Sequence, residues 1–169
     1  MARARGRYLD YLDPVQLIEF TRFYADEVGA GRYPYVDYDA QHRWHQRIYR
    51  DPRLDIWLIS WLPEQGTELH DHGGSAGSFT VLSGNLTEAV VSGGRLRDAT
   101  RQAGDSVGFG AHYVHDVRNL SEAPAVSVHA YSPPLSTMTY YDLADGVLNP
   151  ITSLATDDPE PAFELRAAS

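Results

Sequence analysis

The middle of the chain contains three hydrophobic runs rich in β-branched and aromatic residues, a composition typical of β-strands. These runs are residues 54–61, 78–82 and 125–131. Clusters of glycine, asparagine, aspartate and serine lie between them, at the spacing expected of a sandwich or small barrel. The pattern therefore predicts an all-β middle.

The N-terminal part carries a helical pattern instead. Asp13 and Pro14 precede apolar residues at helical spacing, which predicts a capped amphipathic helix running to about Val28. A second short piece, helical or extended, is expected at about 39–44. The N-terminal helical segment is therefore placed at about 13–44.

The far end of the chain looks loosely packed. A pair of prolines at 133–134 ends the last hydrophobic run, and the residues from Pro150 onward are rich in Asp, Glu, Pro and Ala. A length of 169 residues suits one domain better than two. We expect a mainly β, single domain over 1–169, with a small β-barrel or jelly roll at about 45–145 and a tail at about 146–169.

The amino-acid composition and net charge of the chain disfavour several classes of function. The formal net charge of -9 disfavours binding to nucleic acid or to anionic membranes. The chain has no cysteine, so disulfides, thiolate ligands and cysteine nucleophiles are excluded. It has no apolar stretch of membrane-spanning length, and residues 1–7 lack the apolar region of a secretory signal. We expect a cytoplasmic protein that acts on a small molecule.

The candidate chemistry lies in three histidines. His70 and His72 are two residues apart in a β region, so their side chains project from the same face of a strand. A third histidine, His115, follows 43 residues after His72, in a stretch that otherwise has the pattern of short β-strands. Three neutral imidazoles aimed at one point make a metal site.

The spacing of these histidines resembles the two-motif pattern of the cupin superfamily. Gly77 stands where the first motif has an acidic ligand, so the resemblance implies a three-histidine site with no protein carboxylate. In the second motif Gly110 and His112 replace the usual proline and glycine, and His115 is followed by Asn119 at the expected interval. A face without a carboxylate leaves coordination positions open to substrate and dioxygen.

In more detail the chain resembles one cupin branch, the thiol dioxygenases, of which cysteine dioxygenase is the best known. The matching runs are 70–72, 81–88, 115–119 and 125–134, together with Ser75. The resemblance implies Fe(II) held by His70, His72 and His115, and addition of both atoms of O2 to the sulfur of a small thiol, giving a sulfinate. Animal members have a crosslinked cysteine at the position of Gly77, whereas bacterial members commonly have glycine.

The resemblance also implies a catalytic relay formed by Ser127, His129 and Tyr131. These three residues alternate along one predicted strand and so share one face. Tyr131 would reach the reacting group, His129 would orient Tyr131, and Ser127 would hold the other ring nitrogen of His129.

The substrate carboxylate clamp departs from the family pattern. Cysteine-using members have an arginine on the first strand, and a sister group that uses 3-mercaptopropionate has glutamine. An ungapped alignment places His45 at that position and a shift of one residue places Gln46 there. Arg43 and Arg47 share a face with His45 if the segment is extended, so either arginine can supply a bidentate carboxylate contact.

Two functions from different classes therefore remain open. One is a thiol dioxygenase whose substrate is cysteine, 3-mercaptopropionate, cysteamine or a larger thiol. The other is a non-oxygenase cupin, an isomerase or small-molecule sensor that binds Zn, Ni or Mn. The Ser127, His129 and Tyr131 triplet favours the first function, because a passive metal-binding cupin does not need it. We expect a monomer.

Overall fold

The computed structural model describes residues 10–33 and 35–161, which fold into one α-helix and eleven β-strands. In chain order the elements are α1 (Pro14–Gly29), β1 (His45–Arg50), β2 (Asp55–Trp61), β3 (His70–Asp71), β4 (Ala76–Ser83), β5 (Asn85–Ser92), β6 (Arg95–Gln102), β7 (Ser106–Phe109), β8 (His115–Arg118), β9 (Ala125–Ser132), β10 (Thr137–Ala144) and β11 (Val147–Ala155). The prediction of a mainly β fold with an N-terminal helix is confirmed. Residues 1–7, in which no secretory signal is expected, and residues 162–169 of the predicted tail lie outside the described residues.

The strands form two antiparallel sheets that face each other as in a jelly roll. The five-stranded sheet has the order β1-β2-β9-β4-β7, and the six-stranded sheet has the order β11-β10-β3-β8-β5-β6. Strand β9 lies at the centre of the first sheet, paired with β2 on one edge and β4 on the other. Strands that are distant in sequence are therefore neighbours in space.

Both faces of the central strands β2, β9 and β4 of the five-stranded sheet are buried, because α1 covers one face and the six-stranded sheet covers the other. Successive side chains on a strand point to opposite faces, so the central strands contribute to two separate apolar clusters. The cluster against α1 contains Leu17, Ala25, Leu54, Ile56, Leu58, Val126, Val128 and Ala130. The cluster between the sheets includes Trp57, Ile59, Trp61, Phe79, Leu86, Val117, Tyr131 and Met138.

The helix begins with the predicted cap. The Asp13 carboxylate accepts a hydrogen bond from the Gln16 backbone N–H at 2.9 Å, and the Gln16 side chain accepts one from the Asp13 N–H at 3.0 Å. This reciprocal arrangement satisfies donors that the first turn would otherwise leave unpaired. Leu17 and Thr21 are buried against the sheet. No helix in the described part of the chain is long and apolar enough to cross a membrane.

The segment between α1 and β1 is not helical, which corrects the expected helical segment at about 13–44. Its described residues form turns and extended backbone after Gly29. The Asp39 carboxylate accepts hydrogen bonds from the backbone N–H groups of Gln41 and His42, at 2.7 and 3.2 Å. Such local side-chain bonds compete with helix formation.

The tail expected at about 146–169 is ordered over most of its described length, which is a second correction. Strand β11 pairs with β10 along its whole length, from Val147 opposite Ala144 to Ala155 opposite Thr137. It is an edge strand, and Pro150 lies beside a shift in register. An edge position or a bulge is where a strand tolerates proline, so the proline-containing composition did not reveal the strand.

Candidate metal centre and active site

Two neighbouring strands of the six-stranded sheet bring the three histidines together. His70 lies on β3 and pairs directly with His115 on β8, while His72 follows β3 by one residue. The Nε2 atoms of His70 and His72 are 3.1 Å apart, and one nitrogen from each of the three rings lies within 4.8 Å of the others. All three side chains are buried. The arrangement can hold a metal ion.

Hydrogen bonds orient two of these rings. The His70 Nδ1–H donates to the Glu68 backbone carbonyl at 2.7 Å, and the His115 Nδ1–H donates to the Glu88 carboxylate at 3.0 Å. With Nδ1 protonated, the Nε2 lone pair of each ring is free to bind a metal. Burial lowers the pKa of His70 and His72 well below the usual range, and this favours the neutral form that binds metal.

Glu88 on β5 is a buried carboxylate whose role the sequence pattern did not indicate. Besides His115, it accepts hydrogen bonds from the Arg101 guanidinium at 2.7 Å and the Tyr113 hydroxyl at 3.0 Å. Burial alone would raise the pKa of Glu88, but the bonds from His115 and Arg101 outweigh it and hold the pKa below its usual value. Its signal in the sequence is an acidic residue within the apolar run 86–91.

The position where the cupin pattern has an acidic ligand is filled by an aromatic ring from another strand. A Cβ atom added at Gly77 would lie 2.4 Å from the Phe109 ring, so no larger residue fits without moving it. The Phe109 ring stacks on His72 with ring centroids 5.1 Å apart. Phe109 therefore closes this side of the histidine cluster with an apolar surface.

The Ser127, His129 and Tyr131 side chains point to the same interior face of β9. The Ser127 hydroxyl lies 2.8 Å from His129 Nε2 and accepts a hydrogen bond from the Trp61 indole N–H at 2.9 Å. The Tyr131 ring lies 4.8 Å from the His72 ring, between centroids. His129 and Tyr131 have ring centroids 6.5 Å apart, and the described residues show no hydrogen bond between them. The expected chain is formed from Ser127 to His129 but does not extend to Tyr131.

The three candidate substrate-binding residues lie along one face, as predicted. His45 and Arg47 on β1 pair with Ile59 and Trp57, whose side chains belong to the inner cluster. The Arg47 guanidinium lies over the Trp57 ring at 4.5 Å, whereas Arg43 lies over Trp61 at 4.8 Å.

Of the three candidate residues, only Arg43 reaches the chamber that the histidines line. Gln46, the alternative position, is exposed, and so is His112 in its loop. The chamber is small. Its free volume is about 10 Å³, and its walls include the three histidines, Tyr131, Arg43 and Glu160.

Comparison with known proteins identifies the family of this chain. The family described as cysteine dioxygenase type I matches residues 21–144. The chain belongs to this family. Human cysteine dioxygenase type 1 is 30% identical over 115 residues, which are 59% of this chain and 55% of the human protein. The chain thus spans about half the length of the curated relatives that it matches.

Solved structures support the same fold at lower identity. The chain is similar to a conserved protein with a double-stranded β-helix domain from Klebsiella pneumoniae, with a TM-score of 0.51 and 20% identity, covering 64% of this chain and 86% of that one. It is also similar to the Cnp3 cupin domain of Schizosaccharomyces pombe, with a TM-score of 0.51 and 9% identity, covering 59% and 65%. These similarities establish the cupin fold.

Proposed function

We propose that the protein is an Fe(II)-dependent thiol dioxygenase that adds both atoms of O2 to the sulfur of a small thiol and releases a sulfinate. The observation that carries this proposal is the cluster of three buried histidines, without a carboxylate ligand among the described residues, in a chain of the cysteine dioxygenase family. His70, His72 and His115 would be the metal ligands.

The donor set fits a divalent transition metal. Three neutral imidazole nitrogens suit iron, zinc, copper or nickel, and membership of the family favours iron. When bound there, iron would supply the site at which the thiolate and dioxygen meet and exchange electrons. The contribution of the chain is to fix the three rings, exclude water and place polar groups around the reacting sulfur.

Tyr131 and His129 are the polar groups proposed to assist the reaction. Burial raises the pKa of Tyr131, so the phenol remains protonated near neutral pH and can donate a hydrogen bond into the chamber. Burial lowers the pKa of His129 to about 3, so its ring is neutral, and Ser127 holds it in place. Neither group needs to bind the metal in order to position the reacting atoms through hydrogen bonds.

Arg43 is the proposed contact for a substrate carboxylate. It is the candidate cation that lies within the same chamber as the three histidines, while His45 and Arg47 lie farther along β1. A guanidinium can bind a carboxylate through two parallel hydrogen bonds, which would fix the substrate relative to the metal. This assignment favours cysteine or 3-mercaptopropionate over cysteamine, which has no carboxylate.

The direct test is oxygen consumption by the Fe(II)-loaded protein, prepared anaerobically and offered cysteine, 3-mercaptopropionate and cysteamine in parallel. We expect oxygen uptake with a carboxylate-bearing thiol and a product whose mass is that of the sulfinate. Stoichiometric iron with no uptake for any of the three thiols would contradict the proposal for small thiols. Tightly bound zinc without oxygen uptake would favour the non-oxygenase cupin.

A substitution of Tyr131 tests the role of the phenol. Tyr131→Phe should retain iron but lose turnover by about 100-fold or more, since a positioned proton donor contributes roughly 10²–10⁴-fold. The measurements are iron content and the rate of sulfinate formation. Tyr49→Phe is the matched control, because Tyr49 lies on the opposite side of the same sheet, paired with Ile56. Full turnover in Tyr131→Phe would remove this residue from the mechanism.

A further inference from the structure

A short segment that follows β11 folds back onto β1 and places a carboxylate on each of the three candidate substrate-binding side chains. We define this plug segment as residues 157–160. Two of its contacts are ion pairs, Asp157 with Arg47 at 3.0 Å and Glu160 with Arg43, and in the third the Asp158 carboxylate lies 3.0 Å from His45 Nε2. All three side chains that could take a substrate carboxylate are thus already paired with carboxylates of the chain itself.

The three pairs differ in their exposure to solvent. The side chains of Asp157 and Asp158 are 63% and 41% exposed, whereas those of Glu160 and Arg43 are only 9% and 13% exposed. Exposed ion pairs contribute little to stability, because water screens them and the side chains lose freedom on pairing. The buried pair formed by Glu160 and Arg43 is therefore the contact that matters at the site.

This buried pair is incompletely satisfied. The Arg43 guanidinium contacts Glu160 through Nη2, while its Nη1 is buried without a hydrogen-bond partner among the described residues. Burial raises the pKa of Glu160 although Arg43 opposes this shift, so the carboxylate is less well stabilised here than it would be in water. Breaking a buried ion pair is unfavourable unless another group of the same charge takes the vacated place.

The plug segment also separates two spaces. Inside it lies the histidine chamber, whose free volume of about 10 Å³ is room for roughly one water molecule. Outside it lies an open groove of about 970 Å³. Arg43 and Glu160 line both spaces, so their ion pair forms part of the wall between them. A thiol substrate is larger than this free volume, so side chains in the wall, Glu160 among them, must shift to admit one.

We propose that Glu160 is a built-in competitor for the substrate carboxylate: it takes the place on Arg43 that the substrate will occupy, and a carboxylate-bearing ligand enters from the groove by replacing it. Where the carboxylate-bearing ligand is a thiol, this inference about Glu160 rests on the proposed function. Glu160 thereby selects for ligands that carry a carboxylate. Such a ligand replaces the Glu160–Arg43 ion pair with an ion pair of its own, whereas a neutral ligand leaves the buried Arg43 guanidinium unpaired.

The test is the affinity of the protein as purified for propionate, which carries the carboxylate without the sulfur. Because a tethered competitor acts at a high effective concentration, Glu160→Gln should bind propionate at least about tenfold more tightly than the wild type. Asp157→Asn is the matched control and should change the dissociation constant by less than about threefold, because its ion pairs are exposed. Arg43→Met, alone and with Glu160→Gln, should show no such gain.

Hydrogen exchange provides a second measurement that requires no variant. In the wild type, propionate and 3-mercaptopropionate should each accelerate exchange of the backbone amides of the plug segment, whereas propionamide should not. The Asp158 and Glu160 amides are suitable reporters, because they donate to Thr156 Oγ1 and Asp158 Oδ1 in the closed state.

The binding and exchange results distinguish this inference from other roles for Glu160. Unchanged or weaker propionate binding in Glu160→Gln, or unchanged exchange with propionate, would overturn it. A loss of cysteamine binding in Glu160→Gln would also overturn it and would make Glu160 a binding site for the substrate ammonium. If propionate behaves as expected but no thiol is oxidised, the inference about Glu160 stands and the proposed dioxygenase function fails.

Discussion

The two faces of strand β9 carry opposite chemistry, although both are buried. Toward the six-stranded sheet the strand presents Ser127, His129 and Tyr131. Toward α1 it presents Val126, Val128 and Ala130. Neighbouring residues on one strand therefore differ in what burial requires of them. The apolar side chains need only to be packed, whereas each buried polar group needs a partner.

We expect the outer face of the sheet to contribute mainly to the stability of the fold and the inner face to contribute mainly to activity. The outer face is closed by the amphipathic helix α1, none of whose residues lines the histidine chamber. The inner face is closed by rings, ion pairs and the plug segment, which hold polar groups that an apolar core would not need. Substitutions on the outer face should therefore change the stability of the fold, whereas substitutions on the inner face should change metal binding and turnover.

The largest effect is expected at the metal site itself. His115→Ala should abolish stoichiometric metal binding, because only His70 and His72 would remain of the cluster. The measurement is metal content after loading and desalting, with circular dichroism to verify the fold. His112→Asn is the control, because His112 lies exposed in a loop at a backbone φ of 65°, which asparagine tolerates. Normal metal content in His115→Ala would show that the ligands lie elsewhere.

On the outer face the expected effect is on stability alone. Leu17→Ala should lower the free energy of unfolding by about 2–5 kcal/mol, because it leaves a cavity between α1 and the sheet. Urea unfolding measures this change. Val15→Ala is the control on the same helix: Val15 is 68% exposed, and its substitution should cost no more than about 0.5 kcal/mol. Folded Leu17→Ala protein should bind metal with wild-type affinity, and a lower affinity would show that the two faces are coupled.

A substitution of Glu88 tests the hydrogen bond that orients the candidate metal ligand His115. Glu88→Gln should weaken metal affinity by about 10- to 100-fold, because an amide cannot replace the charge that orients the His115 ring. The measurement is a competition titration with a metal chelator. Glu122→Gln is the control, because Glu122 is exposed in a loop. An unchanged affinity in Glu88→Gln would mean that packing alone positions His115.

The pair of His70 and His72 and the two faces of the sheet could be predicted because they depend on short-range periodicity, whereas His115 joins the pair through the pairing of β3 with β8. His70 and His72 share a face by strand geometry, and the alternation of Ser127, His129 and Tyr131 follows from the same rule. The helix was predictable from Asp13 and its following pattern. Each of these features is a property of neighbouring residues.

The features that the sequence did not reveal depend on contacts between distant residues. Phe109 fills the place beside Gly77 only because β7 pairs with β4. Glu160 reaches Arg43 only because β11 returns the chain to β1, and no local pattern encodes that path. Acidic composition at the end of the chain is typical of a solvated tail as well as of a segment that pairs with buried cations.

The smallest effect is expected at the helix cap, which is the outer-face feature farthest from the chemistry. Asp13→Ala should lower the free energy of unfolding by about 0.5–2 kcal/mol, because the Gln16 backbone N–H loses its acceptor. Asp10→Ala is the control, since Asp10 is exposed and precedes the cap. Metal affinity should be the same in both variants. A weaker metal affinity in Asp13→Ala alone would mean that α1 sets the position of β9 as well as covering it, and the two faces would then act as one unit.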